Sequence, residues 1–396
     1  MCKRNILILH ITTFFAALYF YHQIVTLYLI ERGLNFFEIN SLFGIILIVQ
    51  LLSEVPTGII ADKIGRKKSI IIALVFQLLG EIVFIFAHNY LLIVFSCILA
   101  GIGYAFYSGC YEAMMYDSLK SDNRENEMQK VSGLNSGLKL VATVIGALVG
   151  GFVAADLSMG KFIIVIIMTA ISVSVALIVS FFLIEPKLDY ETGSKSSIQI
   201  LREGISLIKI NSSLKRIILL SILATPFINY LLNFYQPFLL NVNVQGVWLG
   251  ISLSIASLLG FFASKYAYKL EDIFGVQYGL LISIILPGIF YVLMSMILNK
   301  WGAVLIFILA FGSMNLQSPI FMDYKNRHIK SEMRATTLSL IAMLSGFYVA
   351  LMGLIFGKLA DYSLNYTFVI MGFIIIASAL LIPVGEKHVI NNETSE

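Results

Sequence analysis

The stretch GIIADKIGRKKS, Gly58–Ser69, decides the fold, because it concentrates charge inside an otherwise apolar part of the chain. Four basic residues and one acid, Asp62, fall within seven positions, and Gly65 lies among them. Charges of this density are stable beside an apolar segment when they form a loop at a membrane surface. The flanking segments must therefore be long enough to cross a bilayer.

The composition points to lipid as the solvent. The chain has 396 residues, of which 59% are hydrophobic and 13% charged, with a mean hydropathy of +0.89. A soluble domain carries about a quarter charged residues. Cys2, Cys97 and Cys110 show neither disulfide nor metal spacing. We find no nucleotide-binding loop and no nucleophile or metal motif, so we expect neither an ATP-driven pump nor an enzyme, and no nucleic-acid partner.

Apolar runs long enough to span a membrane recur about twelve times. They lie near 5–30, 37–61, 69–88, 91–117, 130–155, 161–184, 215–240, 247–268, 276–297, 301–322, 334–357 and 364–384. The polar stretch 185–215 separates a six-helix bundle, 1–184, from a second one, 216–396. Within that linker, Ile198, Leu201, Ile205 and Ile208 share one helical face. They predict either an amphipathic helix on the membrane surface or an ordinary linker helix.

Positive charge is concentrated in every second loop, including Gly58–Ser69, the linker and the two ends of the chain. The alternate loops hold only Arg32, Lys161, Lys300 and Lys358. Because basic loops stay in the cytoplasm, we expect both termini to be cytoplasmic. The first apolar run is too long for a cleaved signal peptide and is predicted to be the first span. We expect a multi-pass protein of a bacterial cell (inner) membrane.

The two halves repeat each other weakly. Asp62-x-x-Gly65 is matched by Asp272-x-x-Gly275, and Ala155-Asp156 by Ala360-Asp361. A third match pairs Phe20-Tyr21-His22-Gln23 with Phe234-Tyr235-Gln236-Pro237. Repeated halves are a recurring plan of secondary transporters, with the substrate site between them near the midplane.

The opening stretch resembles the G-x-x-x-D-[RK]-x-G-[RK]-[RK] loop of the major facilitator superfamily. The matching residues are Gly58, Asp62, Lys63, Gly65, Arg66, Lys67 and Lys68. The resemblance covers nearly the whole chain and implies an all-α integral membrane fold of 12 transmembrane helices in two pseudo-symmetric bundles. In the family this loop is a gating motif, which implies that Asp62 latches onto the N-terminal end of helix eleven, near Arg334. Alternatively, the basic residues only fix the topology.

Two glycines of the loop have predicted structural roles. Beyond the loop, two other family motifs are partial, and two short stretches resemble one branch of the family. We expect Gly58 to permit close helix packing and Gly65 a tight turn. Gly137, Gly146 and Gly150 follow the start of the antiporter motif, or else serve close packing. Gly101 and Gly103 have the spacing of a proton-linked motif whose arginine position is Cys97 here. EVPTG, from Glu54, and YDSL, from Tyr116, resemble bacterial drug or macrolide efflux-like members.

Ionisable residues inside the spans are candidates for proton coupling. They are Glu54, Glu81, Glu112 and Lys139. We expect Lys139 to pair with Glu112 or Glu54, either as a proton relay or as a static salt bridge. Glu81 lies on the peripheral helix three, which favours a structural role. Asp117 and Asp323, at the inner ends of helices four and ten, are expected to be caps or latch partners.

The resemblance implies a central cavity lined by helices one, four, seven and ten. The expected wall residues are Tyr21, His22, Gln23, Tyr107, Tyr111, Asn229, Asn233, Tyr235, Gln236, Asn315 and Gln317. Aromatic rings with scattered amides suit an amphiphilic organic solute. His22 either titrates or is a hydrogen-bonded residue of a polar seam.

These features predict a secondary transporter that works by alternating access, exporting amphiphilic, drug-like compounds by proton antiport. A proton-coupled uptake symporter for a small metabolite is the alternative, and a non-transporting sensor on the same fold is a third possibility. We expect a monomer in the bilayer that needs no cofactor or metal and uses the proton gradient as its energy source.

Overall fold

The structure, a computed structural model, describes residues 2–186, 211–329, 334–385 and 388–389, without the side chains of 335 and 336. Apart from one 3₁₀ turn, Glu125–Glu127, all regular structure in these ranges is α-helical. The helices are α1 (Cys2–Ala16), α2 (Val25–Glu31), α3 (Phe36–Ile64), α4 (Arg66–Phe86), α5 (Tyr90–Lys120), α6 (Met128–Val153), α7 (Met159–Ser180), α8 (Ser212–Ala224), α9 (Phe227–Asn241), α10 (Val247–Lys265), α11 (Tyr268–Met294), α12 (Lys300–Met314), α13 (Gln317–Arg327), α14 (Arg334–Tyr362) and α15 (Leu364–Leu381).

Eleven helical segments of the described chain are long and apolar enough to cross a membrane. Two of them are pairs of helices that continue one another, α8 with α9 and α12 with α13. The twelfth predicted span, 5–30, is present as two shorter helices, α1 and α2, separated by an irregular stretch, 17–24. The predicted twelve-helix, all-α membrane fold is therefore confirmed.

The irregular stretch in the first span is held by close packing against α6. The Phe20 amide donates to Thr169 Oγ1 at 3.0 Å, and Gln23 Nε2 donates to the Phe20 carbonyl at 2.7 Å. A Cβ atom on Gly146 or Gly150 would collide with backbone atoms of residues 19 and 20. These glycines let an interrupted backbone approach α6. Side chains hydrogen-bond some of the backbone groups that have no helical partner there.

Two glycines turn the chain sharply where helices meet. Gly65, between α3 and α4, has φ +93° and ψ 162°, and Gly275, inside α11, has φ +75° and ψ 168°. Only glycine adopts this region without strain. The tight turn predicted at Gly65 is confirmed, and the sequence repeat at Asp272–Gly275 has the same backbone form.

The chain divides into two compact units at residues 191 and 192, and Gln245–Ser254 counts with the first unit. In the first unit α4 packs against α5 and α7, and α1 packs against α7. In the second unit α11 packs against α12 and α15. The predicted boundaries 1–184, 185–215 and 216–396 remain predictions, and the proposed amphipathic segment 198–208 lies outside the described residues.

Candidate functional site

The loop that joins α3 to α4 is stabilised by a carboxylate from the end of the first half. Glu185 Oε1 accepts from the Arg66 amide at 2.7 Å, and its Oε2 accepts from the Lys67 amide at 2.8 Å. These are N-terminal amides of α4, which have no partner within the helix. A carboxylate there also interacts favourably with the helix dipole. The sequence analysis had placed Glu185 in the linker and missed this role.

The Arg66 side chain connects two acids around the same loop. Its Nη1 lies 3.0 Å from Asp62 Oδ1, and its Nε lies 3.9 Å from Asp117 Oδ2. Asp62 is 70% exposed in its side chain, whereas Asp117 is 8% exposed. Asp117 thus lies beside the motif as a partner of Arg66. The predicted contact of Asp62 with the start of the eleventh span, near Arg334 at the beginning of α14, stays a prediction.

Gly58 does not serve the close packing that was predicted. A Cβ atom there would meet nothing within 4 Å in the described chain, because this face of α3 is exposed. Gly137 lies in open space as well, so of the antiporter-like glycines only Gly146 and Gly150 are packed tightly. Lys63 and Lys68 are exposed and Lys67 is half-buried.

A cavity of about 430 Å³ opens within the first unit, between α3, α5 and α6. Its wall is mostly polar and aromatic. The lining residues are Gln50, Tyr104, Tyr107, Ser108, Tyr111, Glu112, Met115, Ser132, Asn135, Ser136 and Lys139. This volume falls in the range of small-molecule sites, roughly 300–1,000 Å³.

Of the two tyrosines predicted on this wall, Tyr107 is half-buried at the cavity and Tyr111 lies behind it, 2% exposed. Tyr107 and Tyr111 stack with their ring centroids 4.9 Å apart. The Tyr111 hydroxyl donates to the Leu9 carbonyl at 2.7 Å, accepts from Thr13, and lies 2.9 Å from Asn135 Oδ1. The Tyr111 ring is therefore fixed by partners on α1 and α6, and it supports the Tyr107 ring from behind.

Glu112 and Lys139 line the same cavity, but no ion pair links them in the described chain. Nor does Lys139 pair with Glu54, which is exposed on α3 and lies off the cavity wall. The expected salt bridge of Lys139 is thus absent from the described residues. Glu112 and Lys139 belong to different helices, α5 and α6, and each reaches the cavity separately.

The neutral polar residues of the wall were missed by the sequence analysis, although a signal was present. Ser108 precedes Glu112 by one helical turn, and Asn135 and Ser136 precede Lys139 by one turn. Residues three or four apart lie on the same face of a helix. Helical spacing counted from the two charged residues would have identified them.

Glu81 is buried beside a group of tyrosines in the same unit. Its Oε1 accepts from the Tyr21 hydroxyl at 2.9 Å, while its buried Oε2 has no hydrogen-bond partner in the structure. The Tyr21 ring contacts the Tyr19 ring, and the Tyr19 hydroxyl lies 3.1 Å from that of Tyr104. Since Tyr104 lines the cavity, a row of tyrosines connects Glu81 with it.

Of the three residues expected on the wall from the first span, Gln23 is buried, and Tyr21 and His22 contact side chains of their own unit. Tyr21 contacts Glu81, His22 stacks on Tyr19 at 4.6 Å, and Gln23 is fully buried. The reason is the interruption at 17–24, which ends the helical spacing on which the expectation rested. None of the three lines the cavity of the first unit.

Most of the residues expected from the second half are packed inside that unit. Tyr235 is fully buried and stacks on Phe307 at 4.3 Å, and Gln317 is fully buried with its Nε2 donating to the Ser283 carbonyl. Asn233 and Gln236 are also buried. The amide nitrogens of Asn229 and Asn315 donate to carbonyls of their own helical segments, at Pro226 and Phe311. Burial of Tyr235, Gln236 and Gln317 contradicts the expectation that they form a cavity wall.

The described residues contain no group of three or more His, Cys, Asp or Glu that could hold a metal. The three cysteines are free and buried, including Cys97. What the site offers chemically is a polar, partly aromatic cavity with one acid and one base, together with a separate buried acid.

The fold and the cavity define a class: a multi-pass helical membrane protein with a cavity of small-molecule size, as in membrane transporters. Residues 9–353 match the Major Facilitator Superfamily, and the chain belongs to that family.

Relatives and solved structures agree with this assignment. The chain is 24% identical over 382 residues to the uncharacterized MFS-type transporter YxaM of Bacillus subtilis (strain 168), covering 93% of this chain and 91% of YxaM. Its fold is similar to that of the nucleoside transporter NupG, with a TM-score of 0.80, 12% identity, and coverage of 96% and 98%. It is also similar to a D-xylose-proton symporter, with a TM-score of 0.74, 14% identity, and coverage of 100% and 99%.

Proposed function

We propose that this chain is a proton-coupled secondary transporter that exports amphiphilic organic compounds by alternating access. The observation that carries the proposal is the cavity of about 430 Å³, whose wall combines the stacked pair Tyr107 and Tyr111 with hydroxyl, amide and charged groups. The aromatic ring supplies contact surface and the polar groups fix orientation, which are the two functions that the wall of a small-molecule site combines. We place the protein, as a monomer, in the bacterial cell membrane.

Proton coupling is assigned to Glu81. An unpaired carboxylate inside a bilayer is costly, and such residues commonly belong to ion pathways. Glu81 is 7% exposed, and no cation of the described chain forms an ion pair with it. The row Tyr21, Tyr19 and Tyr104 joins it to the solute cavity through two hydrogen bonds and one ring contact.

Uptake by proton symport is the second candidate function. Two observations favour it: one similar fold belongs to a D-xylose-proton symporter, and the cavity presents the fixed charges Glu112 and Lys139. Export is supported by the resemblance of EVPTG and YDSL to efflux-like members and by the antiporter-like glycines. The sign of the coupled proton flux separates the two.

The test uses proteoliposomes that contain the purified protein and a trapped pH-sensitive dye. With an acidic lumen, an antiporter should release protons when an amphiphilic compound is added outside. A symporter should instead acidify the lumen when a small metabolite is added without a gradient. No proton movement with any compound that the protein transports would overturn the proton coupling.

Glu81→Gln is the informative variant, and Glu54→Gln is its matched control, because Glu54 is an exposed acid away from the cavity. We expect Glu81→Gln to abolish the compound-dependent proton signal while Glu54→Gln retains it. A full signal in Glu81→Gln would remove Glu81 as the carrier, and its loss in Glu54→Gln alone would transfer that role to Glu54.

A further inference from the structure

The cavity of the first unit holds two opposite charges that do not neutralise each other directly. Glu112 and Lys139 are both exposed at its wall, and neither side chain forms an ion pair or hydrogen bond in the described chain. Charged residues inside a span either pair with one another or face a cavity, and these two face the cavity without pairing. Their partners are therefore to be sought in what enters the cavity.

Both charges lie well inside the span. Glu112 is eight residues from the end of α5 at Lys120, and Lys139 is eleven residues from the start of α6 at Met128. At 1.5 Å per residue these distances are about 12 Å and about 16 Å. The two groups therefore lie at similar depth, too far from the helix ends to anchor lipid headgroups.

The rest of the wall adds dipoles and rings but no further charge. Gln50 and the serines supply amide and hydroxyl groups, while Tyr107, stacked on the buried Tyr111, supplies an aromatic face. A solute in this cavity thus meets one carboxylate, one ammonium and one aromatic surface. A neutral or singly charged solute would leave at least one of the two charges unpaired.

We propose that the cavity selects zwitterionic solutes with an aromatic or apolar body. The solute ammonium binds Glu112, its carboxylate binds Lys139, and its ring packs on Tyr107. This inference rests on the proposed function and narrows its substrate class from amphiphilic compounds in general to those carrying both charges.

The chain provides a binding readout that does not depend on transport. Ser136 is exposed at the cavity wall, whereas the native cysteines Cys2, Cys97 and Cys110 are buried. The alkylation rate of a Ser136→Cys variant by a maleimide, with the native protein as background, therefore reports occupation of the cavity. Protection is measured as the compound concentration that halves this rate.

Two matched series of compounds test the charge requirement. The first is phenylalanine, phenethylamine, hydrocinnamate and phenethyl alcohol. The second is para-aminomethylbenzoate, benzylamine, benzoate and benzyl alcohol, in which the two charges are further apart. In at least one series, we expect the zwitterion to protect at concentrations about ten-fold or more below those of its three analogues, since each charged hydrogen bond contributes such a factor.

Variants then assign each charge to its partner, in the Ser136→Cys background. Glu112→Gln should weaken binding of the ammonium compounds about ten-fold and leave the carboxylate-only compounds unchanged, and Lys139→Gln should do the reverse. The double exchange, Glu112→Lys with Lys139→Glu, keeps both charges and should restore zwitterion binding. Glu31→Gln, at an exposed acid at the end of α2, should change nothing.

The outcomes separate this inference from the proposed function. If the neutral compounds protect as well as the zwitterions, or if the single variants weaken all four compounds equally, zwitterion selection is overturned while the cavity remains the solute site. If no compound of either series protects, zwitterion selection is overturned, and the proton-flux assay with other amphiphiles decides the proposed function separately.

Discussion

The two halves of the molecule make the same turn with different chemistry. Gly65 and Gly275 have nearly equal backbone angles, and each follows an aspartate by three residues. In the first half, the arginine of the turn, Arg66, begins α4, and Glu185 binds the helix end. In the second half the residues after Gly275 are Val276, Gln277 and Tyr278.

The cation of the second half comes from another helix. Arg327, at the end of α13, lies 3.4 Å from Glu271 and 2.6 Å from Asp323. The Tyr324 hydroxyl also donates to Glu271, at 3.2 Å. The backbone turn has thus been retained in both halves, whereas the ion pairs around it are built from different positions. The turn requires glycine at one position, whereas the cation of the ion pairs can come from several positions in the chain.

The largest effect on stability is expected from the turn glycines. Gly65→Ala and Gly275→Ala both force alanine into a glycine-only region, which costs about 1–3 kcal/mol. At Gly65 the new Cβ would also lie 2.9 Å from the Glu185 carboxyl group, whereas at Gly275 it meets nothing within 4 Å. Thermal unfolding in detergent should therefore show Gly65→Ala as the less stable variant.

Gly58→Ala is the control for these turn variants, because Gly58 is helical and lies in open space. It should be neutral or slightly stabilising, since alanine favours a helix over glycine by about 1 kcal/mol. Equal losses at Gly65 and Gly275 would show that Glu185 contributes nothing to the difference between the two turns.

A smaller effect is expected from the carboxylates that support each turn. Glu185→Gln removes a charge from the start of α4 and should cost about 1 kcal/mol, as for other helix N-terminal partners. Glu271→Gln should cost less, because Arg327 keeps Asp323 and exposed pairs contribute about 0–1 kcal/mol. Chemical unfolding of the two variants compares these losses of stability. A larger loss in Glu271→Gln than in Glu185→Gln would show that the second turn depends more on its carboxylate than the first.

Asp62→Asn should leave stability nearly unchanged, because the side chain is 70% exposed and its pair with Arg66 is a surface pair. Transport should nevertheless fall if Asp62 is the proposed latch. The matched variant is Asp272→Asn, which should transport normally because its turn lacks the basic run. Normal solute flux in Asp62→Asn would end the latch hypothesis.

The smallest effect on stability is expected at the sequence repeat that pairs Asp156 with Asp361. The Ser158 amide and hydroxyl donate to Asp156, which lowers the pKa of this carboxyl group. A carboxyl group whose pKa is lower in the folded protein stabilises the fold at pH values above its unfolded pKa, about 3.9. This contribution is lost as the pH falls through the folded pKa. The melting-temperature gap between wild type and Asp156→Asn should therefore narrow between about pH 6 and pH 3. Asp361→Asn is the comparison, and an equal narrowing there would show that the Ser158 turn is not its cause.

The spans and the turn could be predicted because each depends on local sequence. Apolar length identified every membrane segment, and the motif identified Gly65. The family resemblance placed Tyr107 and Tyr111 on a cavity wall, and the ionisable residues inside the spans indicated that Glu112 and Lys139 lie near each other. The spans and the turn need only the period of a helix and the conformational freedom of glycine.

The rest depended on contacts between distant residues. The interruption at 17–24 has no proline or glycine of its own, and the glycines that accommodate it lie on α6, at Gly146 and Gly150. Expecting a continuous first helix therefore misplaced Tyr21 and Gln23. In the same way, Glu185 reaches its partners 118 and 119 residues earlier in the chain, which no local pattern specifies.

The interruption in the first span also has a mechanical meaning. An intact helix resists bending because each bend must break ladder bonds in an environment without water. Here the ladder is already open between α1 and α2, and Thr169 and the Gln23 side chain provide substitute bonds. The two helices of the first span are thus joined by a segment whose backbone is bonded by side chains, so a change of direction there breaks no helical ladder bond.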